Sequence, residues 1–327
     1  MSAQTVSLAV RLAGLSLKNP VLTASGTSGY GLDLLPHGDI ARLGGIVCKS
    51  LSLRPREGNA PTRIAETPAG MVNSIGLQNI GIDAFVEKTL PALRLHDVAI
   101  VANIFGETID EFARLAARVD AAEGVAAIEL NISCPNTDRG GIEFGVDPEA
   151  TAKVTEAVRR ATRLPVIVKL SPNVTDITVI ARAARDAGAD ILSLVNTFVG
   201  MVIDIETRRP VLSSGSGGLS GPAIRPLAVH LVHKVARAVP IPLIGIGGIR
   251  SGDDAIEFLM AGASAVEVGT ATFTEPAATL RIASEIDAWC RTHYVHDVNE
   301  IIGAVVRPVA PPAGSPRGPG ASGASGG

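Results

Sequence analysis

The sequence predicts an α/β fold, a (β/α)8 TIM barrel with insertions over the C-terminal face of its strands. Three observations carry this. Eight short apolar runs recur along the chain, amphipathic Ala/Arg/Glu-rich stretches separate them, and most of the runs are continuously apolar rather than alternating. Continuous apolarity is what parallel strands covered on both faces require. The competing arrangement is an open doubly wound sheet. That fold usually shows a dinucleotide fingerprint, and no G-x-G-x-x-G opens a βαβ unit here.

The elements follow in order. Strands are expected over 20–24, 45–49, 99–104, 126–132, 166–170, 191–196, 242–247 and 265–269. The clearest helices are expected over 107–122, 147–162, 175–187, 223–239 and 253–260. Thr108-Ile109-Asp110-Glu111 and Ser251-Gly252-Asp253-Asp254 carry helix-start chemistry, an N-cap hydroxyl with acidic residues in the first turn. Two connections, 50–81 and 197–220, are too long for plain βα loops and are rich in Gly, Pro, Ser and Asn. Both follow a strand, so both are expected to project over the catalytic face as lids. Residues 1–306 then form one barrel domain. The Pro/Gly/Ala/Ser-rich tail 307–327 cannot bury a core and is expected to be disordered.

Composition excludes several function classes. A net charge of −3 gives no electrostatic reason to expect nucleic acid, and 3% aromatics leave few platforms for base stacking. The three cysteines, Cys48, Cys134 and Cys290, are far apart and odd in number. They form neither a disulfide framework nor a CxxC metal pattern, and they suit a reducing cytoplasm. No metal site is expected. The first ten residues lack the basic and apolar regions of a signal peptide, and no apolar run reaches the ~18 residues of a membrane span.

Polar residues collect at the predicted strand ends. Lysine is rare, six against 23 arginines, yet Lys49 and Lys169 both close apolar runs. An unpaired buried charge is costly, so each should face an anionic ligand or pair with a carboxylate. Asn103, Asn131 and Asn196 end the third, fourth and sixth strands, although Asn is poor in strands. Together they suggest a polar ring reading the edge of a flat ligand. Capping of the following loops is the plainer reading for any one of them. The last two strands end in Gly247-Gly248 and Gly269-Thr270, where barrels often bind phosphate with bare backbone N–H groups. Gly218-Leu219-Ser220-Gly221 could add more such groups. A mononucleotide such as FMN fits: phosphate on the glycines, ring over the barrel mouth, Lys169 near its electron-rich edge.

Cys134 stands where the fourth strand runs out into a loop, and Pro135 holds it extended. Three readings stay open: a buried packing thiol, a covalent nucleophile, or a general base acting on a C–H bond beside a carbonyl. None of the six histidines ends a predicted strand. Cys48, inside the second strand, and Cys290, in the C-terminal helix, read as packing residues.

Five motifs in order carry a resemblance: Asn73-Ser74-Ile75-Gly76-Leu77-Gln78-Asn79, Glu129-Leu130-Asn131-Ile132-Ser133-Cys134-Pro135-Asn136, Val168-Lys169-Leu170-Ser171-Pro172-Asn173, Gly217-Gly218-Leu219-Ser220-Gly221-Pro222 and Gly245-Ile246-Gly247-Gly248. From about Leu8 to about Ile302 the chain resembles the class 1 dihydroorotate dehydrogenases, and class 1B, the NAD-linked catalytic subunit, most closely. The resemblance implies oxidation of (S)-dihydroorotate to orotate in pyrimidine synthesis, with one FMN in the barrel. Cys134 would remove the C5 proton while C6 gives hydride to FMN. Lys49, Asn73, Ser74, Ile75, Gly76, Leu77, Asn131, Asn196 and Thr197 would hold the substrate. Ser25, Lys49, Ser50, Asn103, Asn131, Lys169, Val195, Gly221, Gly247, Gly248, Gly269 and Thr270 would hold FMN.

The cysteine separates the chain from class 2 members, which use serine and carry an N-terminal membrane segment. Class 1B implies a partner subunit bearing FAD and a 2Fe-2S cluster, joined to a homodimer of this chain as a heterotetramer. Ser28 departs from the pattern, since many relatives have an aromatic residue there; packing rather than chemistry should feel it. Class 1A, which passes electrons to fumarate, is the nearest alternative. A dihydropyrimidine dehydrogenase-like flavin barrel and a non-catalytic FMN-binding scaffold are more distant ones.

Overall fold

A computed structural model of the chain describes residues 6–133 and 144–306. Eight parallel strands close into a barrel: β1 Val21–Thr23, β2 Gly45–Val47, β3 Ala99–Ile104, β4 Ala127–Asn131, β5 Val166–Leu170, β6 Ile191–Leu194, β7 Leu243–Ile246 and β8 Ala265–Val268. They neighbour one another in chain order, and β8 pairs with β1 to complete the ring. All eight expected strands are present. β3 and β5 match to the residue; the others are trimmed by one or two residues at their ends, because the last residues of each run turn out of the ladder into the loops that carry the site. Cys48 accordingly lies one residue beyond β2 rather than inside it.

The expected helices form where their caps are. Thr108 accepts the N–H of Glu111 and opens Ile109–Asp120; Asp147 accepts that of Ala150 and opens Pro148–Ala161. Asp176 opens Ile177–Asp186, and Ser251, accepting from the N–H of Asp254, opens Gly252–Ala261. Each satisfies one backbone donor that the first helical turn leaves unpaired. The expected stretch 223–239 divides into a short 3-10 turn, Pro222–Ile224, and the helix Arg225–Ala236. The helix Ala278–Thr292 completes the outer ring, with Cys290 buried on its inner side. Strand β7 approaches its covering helix so closely that a Cβ on Gly245 would stand 2.5 Å from the Phe258 ring. Glycine is what lets that aromatic side chain lie on the sheet.

Two features were not expected. A hairpin, Val10–Leu12 with Leu15–Leu17, turns through Ala13 and Gly14 at φ 47° and 110°, the backbone of a two-residue turn of type I′. Its Val10, Leu12, Leu15 and Leu17 are buried, and Gly14 lies near Pro165 at the start of β5, so the hairpin closes the N-terminal end of the barrel. At the opposite end the two long insertions combine. Ile64–Thr67, Gly70–Asn73, Phe198–Gly200 and Gly217–Ser220 form one antiparallel sheet, with Gly218 opposite Asn73 and Phe198 opposite Leu219. The lids are a single lid.

Candidate active site

The strand ends converge on a polar centre. In register, Asn131 on β4 stands beside Lys169 on β5, and Asn103 on β3 beside Glu129 on β4. Asn131 donates from Nδ2 to the Ser50 hydroxyl at 3.2 Å and accepts from the Asn196 amide at 3.4 Å. Asn196 in turn accepts the N–H of Thr197 at 2.8 Å. A chain of hydrogen bonds thus runs from the loop after β2, across β4, to the loop after β6. Asn73 is tied into the lid through its amide, which donates to the Gly218 carbonyl at 3.2 Å. Ser74 accepts from Asn59 at 2.8 Å, and the following Ile75, Gly76 and Leu77 run on as a loop with positive φ at Gly76 and Leu77.

The two lysines differ. Lys169 is buried, with Nζ 3.5 Å from Glu129, 3.4 Å from Glu267 and 3.2 Å from the Ser25 hydroxyl. Burial works against its charge, but the two carboxylates outweigh that and raise its pKa. Lys49 is half-buried two residues past β2, and no carboxylate pairs with it among the described residues. Burial alone lowers its pKa. The sequence expectation therefore divides: Lys169 pairs with carboxylates of the chain, whereas Lys49 keeps its charge for something else.

Asn103 corrects the expected ring. It is fully buried, with its amide donating to Glu129 at 2.5 Å, so it sits a layer deeper than Asn131 and Asn196. Its Oδ1 has no partner among the described residues. The expectation for Gly218-Leu219-Ser220 is also revised. As an inner strand of the lid, Gly217–Ser220 commits its backbone to pairing on both edges, and only Gly221 lies beyond it. The N–H groups of Gly247, Gly248, Gly269 and Thr270 donate to no described residue. These bare donors after β7 and β8, the buried ammonium of Lys169, and the orphaned oxygen of Asn103 fit an anionic, hydrogen-bonding mononucleotide. Val195 is buried just after β6, and its N–H donates to the Ile246 carbonyl at the end of β7. The residues present therefore suit FMN.

Cys134 lies outside the described residues, as do residues 135–143. Ser133, immediately before it, donates to the Lys169 carbonyl at 3.3 Å and fastens this end of β4 to β5. Burial pushes the Cys48 thiol up to about 12, which leaves it a packing residue. Ser28 is buried, and its hydroxyl has no partner among the described residues.

The strand-end reading passed over Glu129, Glu267 and Ser193 inside the barrel, and Asn173 beyond β5. A glutamate within an otherwise apolar strand, as in Ala127-Ile128-Glu129-Leu130 and Ala265-Val266-Glu267-Val268, was the available signal. Asn173 accepts the N–H of Val199 and donates to the Thr197 carbonyl, both at 3.0 Å, and so docks the lid on the barrel.

A family model, dihydroorotate dehydrogenase, matches residues 7–289. The chain belongs to the dihydroorotate dehydrogenase family. It is 52% identical over 302 residues to a protein of Geobacter sp. strain M21, and 55% identical over 302 residues to proteins of Desulforudis audaxviator and Geobacter sulfurreducens. Each alignment covers 92% of this chain and 98–99% of the relative. All three relatives are named dihydroorotate dehydrogenase B (NAD(+)), catalytic subunit.

Proposed function

We propose that this chain oxidises (S)-dihydroorotate to orotate in pyrimidine synthesis, as the catalytic subunit of an NAD-linked class 1B enzyme. The observation that carries the reading is the linked array Ser50–Asn131–Asn196, with Lys49, next to Ser50 in the chain, paired with no carboxylate among the described residues. Dihydroorotate is anionic and edged with N–H and C=O groups, and its product orotate is flat as well. Carboxamides donate and accept along such an edge, and an ammonium meets its carboxylate. Asn73, Ser74, Ile75, Gly76, Leu77 and Thr197 would close over the substrate from the lid and the loop after β6.

Ser25, Ser50, Asn103, Lys169, Val195, Gly221, Gly247, Gly248, Gly269 and Thr270 would hold FMN, with Lys49 and Asn131 between the two ligands. Bound there, FMN supplies the hydride acceptor. Cys134 is the base for the C5 proton; a thiol with an ordinary pKa near 8.5 needs only modest stabilisation to work near neutrality. The relatives' shared name, catalytic subunit, speaks for a second subunit. We assign to it the FAD and the 2Fe-2S cluster that pass electrons to NAD, in a heterotetramer built on a homodimer of this chain. Buried free thiols at Cys48 and Cys290 suit a cytoplasmic location. Among the described residues no helix is long and apolar enough to cross a membrane.

Stopped-flow reduction of the flavin by dihydroorotate tests the base. Cys134→Ser should retain FMN and slow reduction by roughly 10²–10⁴-fold near neutral pH. Near-normal bleaching in that variant would refute the assignment. Efficient turnover of the purified chain with fumarate alone would move it to class 1A, and preference for dihydrouracil would move it to another pyrimidine.

A further inference from the structure

Lys169 faces two carboxylates, and the charges do not balance. Its Nζ lies 3.5 Å from Glu129 Oε1 and 3.4 Å from Glu267 Oε2, and both carboxyl groups are fully buried. One ammonium against two carboxylates would leave a net negative charge inside the barrel. Buried clusters relieve such an excess by keeping a proton.

The hydrogen bonds say which carboxyl keeps it. Glu129 accepts from Asn103 on Oε1 at 2.5 Å and from Ser193 on Oε2 at 2.7 Å, besides facing Lys169. Three donors around one carboxyl favour its ionised form. Glu267 accepts from Lys169 through Oε2, and no described residue donates to its Oε1. In register beside Glu267 stand Ile246 on β7 and Leu22 on β1, which bring no charge. Lys169 and Glu129 are the charged groups that face it among the described residues.

We infer that Glu267 keeps its proton at neutral pH and shares it with Glu129, so that Lys169, Glu129 and Glu267 form an electrically neutral unit under the barrel mouth. Burial, then the charge of Glu129, pushes the Glu267 carboxyl well above the usual range. Burial would raise Glu129 too, but Lys169 and the hydrogen bonds outweigh it and hold Glu129 low. Glu267 is thereby a positioning residue. Its neutrality leaves the charge of Lys169 balanced once rather than twice. A second negative charge there would oppose electron uptake by a flavin above it; this consequence alone rests on the FMN reading.

Infrared spectra of the full-length chain at pH 7, recorded with and without excess FMN, test the protonation directly. Wild type should show a buried carboxylic-acid stretch that shifts in heavy water. Glu267→Gln should lose it. Glu129→Gln should lose it as well, because Lys169 then takes Glu267 as its ionised partner. No such band in wild type, or a band that survives Glu267→Gln, overturns the inference, and the wild-type spectrum decides even if neither variant folds.

Stability against pH gives a second readout. A carboxyl whose folded pKa lies above its unfolded value of about 4.3 contributes stability below that value and loses it as pH rises toward the folded pKa. Unfolding equilibria of wild type and Glu267→Gln, measured in denaturant with excess FMN from pH 5 to 8, should therefore diverge. Wild type should weaken by about tenfold per pH unit relative to the variant. A constant ratio would mean a merely structural glutamate. Failure to bind FMN at all would sink the cofactor reading and leave the infrared result standing.

Discussion

The barrel interior below its mouth and the lid above it are built on different terms. In the interior, Lys169, Glu129, Ser193 and Asn103 answer one another's polarity inside a continuous apolar core that includes Val166, Val168, Leu170 and Ile128. The lid rests on a small cluster of its own, Ala65, Val72 and Leu212, and exposes Val199, Met201, Ile203 and Ile205. An interior of the first kind is set before any ligand arrives. A sheet with three buried apolar residues has little to hold it closed, so opening it costs far less than opening the barrel. The difference in firmness follows from how each region buries its apolar surface.

Removing the charge that the interior depends on should show the largest effect. Lys169→Ala strands Glu129 as an unpaired buried carboxylate and should cost about 3–5 kcal/mol of global stability in denaturant unfolding, with weakened FMN binding. A loss below 1 kcal/mol would mean that the cluster reorganises freely. Lys49→Ala tests the contrast, because Lys49 pairs with no described carboxylate. It should leave the denaturation midpoint almost unchanged while weakening dihydroorotate binding by about 2–3 kcal/mol, roughly 30–150-fold. For the same reason the affinity of the native chain should fall as pH rises through the lowered pKa of Lys49, below where an ordinary lysine titrates near 10.4.

Val72→Ala removes part of the lid cluster and should cost about 1–2 kcal/mol locally. Hydrogen exchange would then quicken in 64–73 and 198–220 and stay slow in β3, β4 and β5. Equal acceleration in both would merge the two regions into one cooperative unit. The smallest effect belongs to neither region. Thr108→Ala, by removing the cap of Ile109–Asp120, should lower stability by about 1 kcal/mol and leave the site untouched.

The sequence makes the barrel legible because each strand is an apolar run that has to be covered on both faces, and each cap is a local contact between neighbours. It makes Lys49, Asn131 and Asn196 legible because polar residues at the ends of such runs need a reason. The glutamates were harder. Glu129 and Glu267 are 138 positions apart in the chain, and their partner Lys169 lies between them. A long segment such as 197–220 shows its turn residues, but not what its backbone pairs with.

Pattern and local chemistry by themselves therefore determined the fold class, the strand order and where polar residues collect at the strand ends. Closure of the barrel decided the rest. It brought β8 across to face β4 and β5, set two carboxylates on one ammonium, and joined two distant insertions into one sheet. Contacts between residues far apart in the chain depend on the geometry of the closed ring, which no local run of residues contains.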